Sequence, residues 1–204
     1  MPPSRSVTSH VVRITRPDRD PDLEFRVVGH SAPGGSKDVG VIYRNGPNGT
    51  KVPVTDAKGK IKTFVRDKSG QAGKDWRTTV ATTGLAALVQ AGLERFDGPL
   101  YVELTIIRPR GPGHYGSGRN AGRLLPSAPA FPAVAPDVTK LTRSTEDALN
   151  SVVWNDDSRN VALLTEKVYA EPGEPEGAEV KIWTLPATVG RVEADPDQLE
   201  MAVA

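Results

Sequence analysis

Between residues 136 and 157 the chain reads PDVTKLTRSTEDALNSVVWNDD, with one acid, Asp137, near its start and an acidic pair, Asp156 and Asp157, at its end. Carboxylates are the side chains that hold a hard cation such as Mg²⁺, and a cation held this way activates water and polarises a phosphate. Lys140 and Arg143 lie between the acids, and a positive charge beside such a site offsets the charge that builds on phosphate oxygens in the transition state. These are the parts that phosphodiester hydrolysis needs, provided the segment folds so that Asp137 and Asp157 meet at one ion. Each acid also has a plainly structural use. Asp137 stands where a helix N-cap belongs, worth about 1 kcal/mol, and Asp156 and Asp157 suit an Asx-turn.

The elements that must position these residues can be read from periodicity. Residues 138–150 form an amphipathic helix with Val138, Leu141, Thr145, Ala148 and Leu149 on its buried stripe, while Thr139 and Arg143, four apart, share another face. Upstream, residues 109–135 are broken by Gly and Pro into a long loop carrying Arg110, Arg119 and Arg123. Before it, LYVELTIIR at Leu100–Arg108 alternates as a central strand should, with Leu100, Val102, Leu104 and Ile106 on one face. A helix is expected over 74–96, through Trp76, Val80, Leu85, Leu88, Val89 and Leu93, stopped by Asp97-Gly98-Pro99. Leu23–Val28 reads as a strand, 29–38 as a Gly-rich loop, and 39–66 as a hairpin or meander with Asn- and Gly-rich turns. Asn160–Tyr169 and 178–185 read as closing strands. The order implies an α+β fold: a two-layer sandwich with a mixed β-sheet and its helices on one face. It divides into a basic, flexible arm (1–22), one folded domain (23–185) and an acidic tail (186–204).

The 204 residues suffice for a core without covalent staples, and the absence of cysteine excludes a disulfide framework and a cysteine-based zinc site. No run approaches the ~20 apolar residues of a membrane span, so a cytoplasmic protein is expected. The net charge of +1 conceals a division along the chain. Residues 104–144 carry Arg108, Arg110, Arg119, Arg123, Lys140 and Arg143 against Asp137 alone, whereas residues 171–204 carry eight acids against Lys181 and Arg191. A middle section of that sign suits a polyanion, although charge by itself more often only solvates a surface. GPGHYG at 111–116 spells a dinucleotide fingerprint, but no helix opens after it to meet a pyrophosphate. His10, His30 and His114 lack the close spacing of a zinc site, and no GxSxG elbow is present.

The order of residues resembles the signature of the RusA-type Holliday-junction resolvases: Pro136-Asp137, Leu141, Arg143, Asp147 to Asn150 (DALN), Trp154, Asp156 to Ser158 (DDS), then Lys167 and Tyr169. APGGSK at 32–37 and RPRGPGHYG at 108–116 are similar to further parts of that pattern, so the resemblance runs from about Phe25 to about Trp183. It implies a homodimeric, Mg²⁺-dependent endonuclease, with Mn²⁺ as the alternative metal. Such an enzyme nicks four-way DNA junctions symmetrically, in recombination, repair or phage DNA processing, in a bacterium or a phage host. Position by position, Asp137 and Asp157 fall on the metal-binding carboxylates and Arg143 on a catalytic cation, with Asp156, Glu103 or Asp147 as a third acid. The cations Lys37, Arg108, Arg110, Arg119, Arg123, Lys140 and Lys167 form the DNA-contacting set. Thr139 and Lys140 stand where the pattern has aspartate and asparagine, which removes one charge from the metal site. Two other readings compete: a non-catalytic branched-DNA-binding protein with a degenerate metal site, and an assembly protein outside nucleic acids.

Overall fold

A computed structural model of the chain describes residues 14–34, 37–67 and 69–188. Its centre is a four-stranded sheet of β1 (Leu23–Val28), β6 (Leu100–Arg108), β7 (Asn160–Tyr169) and β8 (Gly177–Thr184), in the order β1-β8-β6-β7. β8 is antiparallel to both β1 and β6, while β6 and β7 run parallel. A parallel pair needs a crossover, and α2 (Val138–Leu149) supplies it, preceded by the long 109–135 loop. The second helix, α1 (Gly70–Ala91), packs against α2 and β1. Both helices bury the face that carries Leu100, Val102, Leu104 and Ile106, as the alternation in β6 requires. The expected α+β sandwich with a mixed sheet is the observed one.

The helices meet more closely than apolar periodicity suggests. α1 turns Gly73, Trp76, Val80, Gly84 and Leu88 inward. A Cβ on Gly84 would stand 2.8 Å from both Leu149 and Val153, so the glycine is what lets α2 and the turn after it approach. Trp76 Nε1 donates to Thr145 Oγ1 at 3.2 Å and fixes the register of the pair. Leu85, Val89 and Leu93, expected on the buried stripe, are instead exposed. Small residues took the inner positions that bulk was expected to fill. The helix ends at Gly92, whose φ of 66° is a left-handed cap, rather than running to 96. In α2 the inner face adds Thr142 and Ser144 to the expected set and leaves Val138 only half-buried. Thr142 Oγ1 meets both Val138 O and Thr165 Oγ1 of β7, so its hydroxyl is satisfied in place.

The opposite face of the sheet is covered in part by residues 14–22. Arg16 pairs with Glu103 at 3.1 Å and lies over the Trp183 ring, and Trp183 Nε1 donates to Arg19 O. This stretch, read from sequence as arm, is thus docked; residues 1–13 and 189–204 lie outside the described residues. β2 (Lys37–Val41) with β5 (Thr63–Asp67), and β3 (Tyr43–Asn45) with β4 (Lys51–Pro53), are successive sections of one irregular hairpin. The hairpin contributes no residue to the core. Among the described residues no helix is long and apolar enough to cross a membrane.

Candidate active site

Asp137 is the N-cap residue of α2, yet its side chain makes no capping hydrogen bond. Its carboxylate is 61% exposed and pairs with Lys140 Nζ at 3.0 Å. The approach to it is held from β7: Lys167 Nζ donates to the carbonyls of Val134 at 2.6 Å and Pro136 at 2.9 Å. The loop 29–34 crosses α2 from above, with Gly34 N on Lys140 O and no room at Gly34 for a Cβ, which would lie 3.0 Å from Ser144. That loop is tied down by Arg108, whose guanidinium donates to the carbonyl and hydroxyl of fully buried Ser31.

Asp156 and Asp157 lie at the other end of α2, in the 3-10 turn Asp157–Arg159 that leads into β7. Asp156 accepts from Ser158 N at 2.9 Å, and its hydrogen bonds with Ser158 hold it below the ordinary carboxylate value. Asp156 is therefore the turn-former here. Glu146, in the last turn of α2, is half-buried, and its pKa is raised chiefly by desolvation, then by the charges of Asp157 and Asp147, against a hydrogen bond from Asn160. Four buried polar atoms close by have no partner among the described residues: Asn150 Oδ1, Trp154 Nε1, Arg159 Nε and Asn160 Oδ1. Unpaired buried polar groups are rare in native folds and mark places where water, ions or substrate complete the bonding.

Asp137 and Asp157 do not meet within one chain. Asp137 and Asp157 flank the 12 residues of α2, which advance about 18 Å at 1.5 Å per residue. From Asn160, beside Glu146, to Lys167, beside Pro136, the strand spans about 23 Å at 3.3 Å per residue. A shared Mg²⁺ would need both within bonds of about 2 Å. Consistently, no group of three or more His, Asp or Glu among the described residues is placed to hold a metal ion. Asp137 and Asp157 of a single chain are therefore too far apart to share one ion. Glu103, a candidate third acid, sits on the sheet face away from α2 and is paired with Arg16.

The cations divide by position. Arg143 is exposed on α2, halfway between the two acids, and its side chain makes no hydrogen bond or ion pair among the described residues. Arg119 and Arg123 are exposed in the loop after β6, whereas Arg110 lies 4.3 Å over the Tyr169 ring and donates to Pro129 O. Lys37 is exposed on the hairpin. Sequence reasoning missed the rest of that hairpin's charge: Arg44, Lys51, Lys58, Lys60, Lys62 and Arg66 are exposed there too. The signal was present, seven cations against three acids over 37–67, but was lost in the whole-chain balance.

A family model described as endodeoxyribonuclease RusA matches residues 47–182. The chain belongs to the RusA family. The match takes in α1, the central strand, α2, both ends of the candidate site and β7; it starts after the 32–37 segment, so that part of the resemblance falls outside it. A comparison with curated proteins finds no match. Membership in the RusA family makes the chain an endodeoxyribonuclease. Of the two positions that differ from the resembled pattern, Thr139 is exposed in the first turn of α2 and Lys140 is paired with Asp137.

Proposed function

We propose that the protein is a divalent-metal-dependent resolvase of four-way DNA junctions, working as a two-fold dimer in which each metal site is shared between subunits. The single observation that carries this is the placement of Asp137 and Asp157 at opposite ends of α2. A two-fold axis that sets α2 antiparallel to its copy brings Asp137 of one subunit toward Asp157 of the partner subunit, twice. Arg143, midway along the exposed face of the helix, then falls between the two sites. An isologous pair also matches a two-fold junction, with one site for each of two opposed strands. Family membership supports the junction as substrate, and Mg²⁺ is the metal that suits carboxylates supplemented by water and substrate phosphate.

Mixed dimers test it. Asp137→Asn and Asp157→Asn homodimers are each expected to bind a synthetic four-way junction without nicking it in Mg²⁺. Mixing the two and allowing subunits to exchange assembles heterodimers in which one shared site is intact and the other doubly substituted, so nicking of single strands returns. If each site belonged to one subunit, the mixture would stay inactive. Junction binding by the wild type with no nicking in Mg²⁺ or Mn²⁺ would favour a non-catalytic branched-DNA-binding protein.

A further inference from the structure

At the C-terminal ends of β6 and β7, directly beside the start of α2, lies a cavity of about 260 Å³. Its lining combines the polar side chains of Arg108, His114, Lys167 and Tyr169 with the apolar ones of Pro129, Pro132 and Val134. No acid lines it. Arg108 spends one terminal nitrogen on Ser31, and its guanidinium has no further hydrogen bond among the described residues. Lys167 uses its ammonium on two carbonyls, which leaves one proton unspent. His114 packs edge-on against Tyr169 at 5.2 Å, and its Nδ1 is shielded from solvent without a partner. A shielded ring nitrogen with an unmade hydrogen bond, two uncompensated cations and apolar lining are the ingredients of a nucleotide pocket. The cations suit a phosphate, the prolines a base face, and His114 a base edge. The room is several times the ~30 Å³ that one water occupies in the liquid, so a phosphate alone would leave most of it empty.

We propose that this cavity receives one unstacked nucleotide of the DNA substrate, adjacent to the strand that Asp137 addresses. The inference rests on the endonuclease reading and adds the source of its structure selectivity. A paired base pays a few kcal/mol to leave the stack, and least where pairing is already broken. A branch point offers such a base, whereas a continuous duplex does not. Lys167 couples the two functions, because the ammonium at the cavity also grips the Pro136 carbonyl just before Asp137.

Gly111 permits a clean test. Gly111 also lines the cavity; its φ is −67°, ordinary for any residue, and a Cβ there meets nothing within 4 Å, so Gly111→Leu adds bulk at the cavity mouth without strain. Full-length wild type, Gly111→Leu and His114→Phe would be compared for binding to a four-way junction and to a matched duplex. The junction carries 2-aminopurine at its branch positions. The wild type is expected to prefer the junction and to change the fluorescence of a branch-point 2-aminopurine on binding. Gly111→Leu should lower the junction preference by about tenfold, leave duplex affinity unchanged and abolish the fluorescence change. His114→Phe, which keeps the ring against Tyr169 but not Nδ1, should lower the preference by roughly threefold, and it decides the matter if Gly111→Leu does not melt as the wild type does. Wild-type preference and fluorescence in the folded variants would overturn the pocket while junction nicking by the wild type stands. Absence of junction nicking by the wild type would overturn the endonuclease reading, and the pocket with it.

Discussion

Asp137 and Thr139 show how the same few side chains serve fold and chemistry. An aspartate before a helix is ordinarily spent on backbone amides, yet Asp137 turns away from them and pairs with Lys140, keeping its carboxylate exposed. Lys140 meets only Oδ2, so the other oxygen of the exposed carboxylate stays open to solvent. Thr139 brings no charge to the same turn. Thr139→Asp restores a second carboxylate there and also complements the positive end of the helix dipole. Stability is therefore expected to rise by about 0.3–1 kcal/mol, with the Mg²⁺ concentration for half-maximal junction nicking falling severalfold. A metal titration of nicking beside urea unfolding separates the two effects. An unchanged metal requirement would mean that position 139 does not face the ion. The residue types at this site were legible in the sequence. Their positions at opposite ends of α2 were legible too; that the turn after α2 leads into β7 without folding back toward Asp137 was not, because sequence spacing does not show the path of a turn.

The bounds of β6, α2 and β7 were legible almost to the residue. α1 was less so, since its tightest approach is at Gly84, and glycine carries no hydrophobic signal. Residues 14–22 carry no periodic signal either, because individual hydrogen bonds hold them in place of a buried face. Asp22 is the clearest. Hydrogen bonds from Arg19, with backbone and side-chain bonds from Thr184, pull its pKa down to about 2 against partial desolvation. A carboxylate lowered by folding adds stability that is complete above its unfolded value near 4 and disappears as pH falls toward 2. For a side chain that is 29% exposed, screening reduces that contribution to on the order of 1 kcal/mol. Asp22→Asn is thus expected to unfold at lower urea than wild type at pH 7 and pH 5, with the gap shrinking by pH 3. A gap that is independent of pH would show that packing, rather than the charge, ties the segment to β8.

Across the whole molecule the net charge of +1 is a poor guide, because the charge is segregated. The hairpin stands outside the core with seven cations on it, at a distance along the chain from both ends of α2. Exposed cations on a projecting hairpin add nothing to the stability of the core, whereas cations that meet DNA neutralise phosphates and release counterions. Lys58, Lys60 and Lys62 flank the turn at its tip. Asp56 Oδ1 shapes that turn by accepting from the backbone amides of Lys58 and Lys60, bonds that a side-chain change leaves intact. Replacing all three lysines with glutamine should therefore preserve the fold and the nicking chemistry while weakening junction affinity. The decisive quantity is the salt slope. Each phosphate that goes unneutralised lowers the dependence of log affinity on log salt by about 0.9, so the triple variant should have a slope shallower by roughly 2–3 between 50 and 200 mM salt if all three lysines reach the backbone. Fluorescence anisotropy on a four-way junction measures it. An unchanged slope would place the DNA path along Arg143, Arg119 and Arg123 alone, with the hairpin left free of DNA.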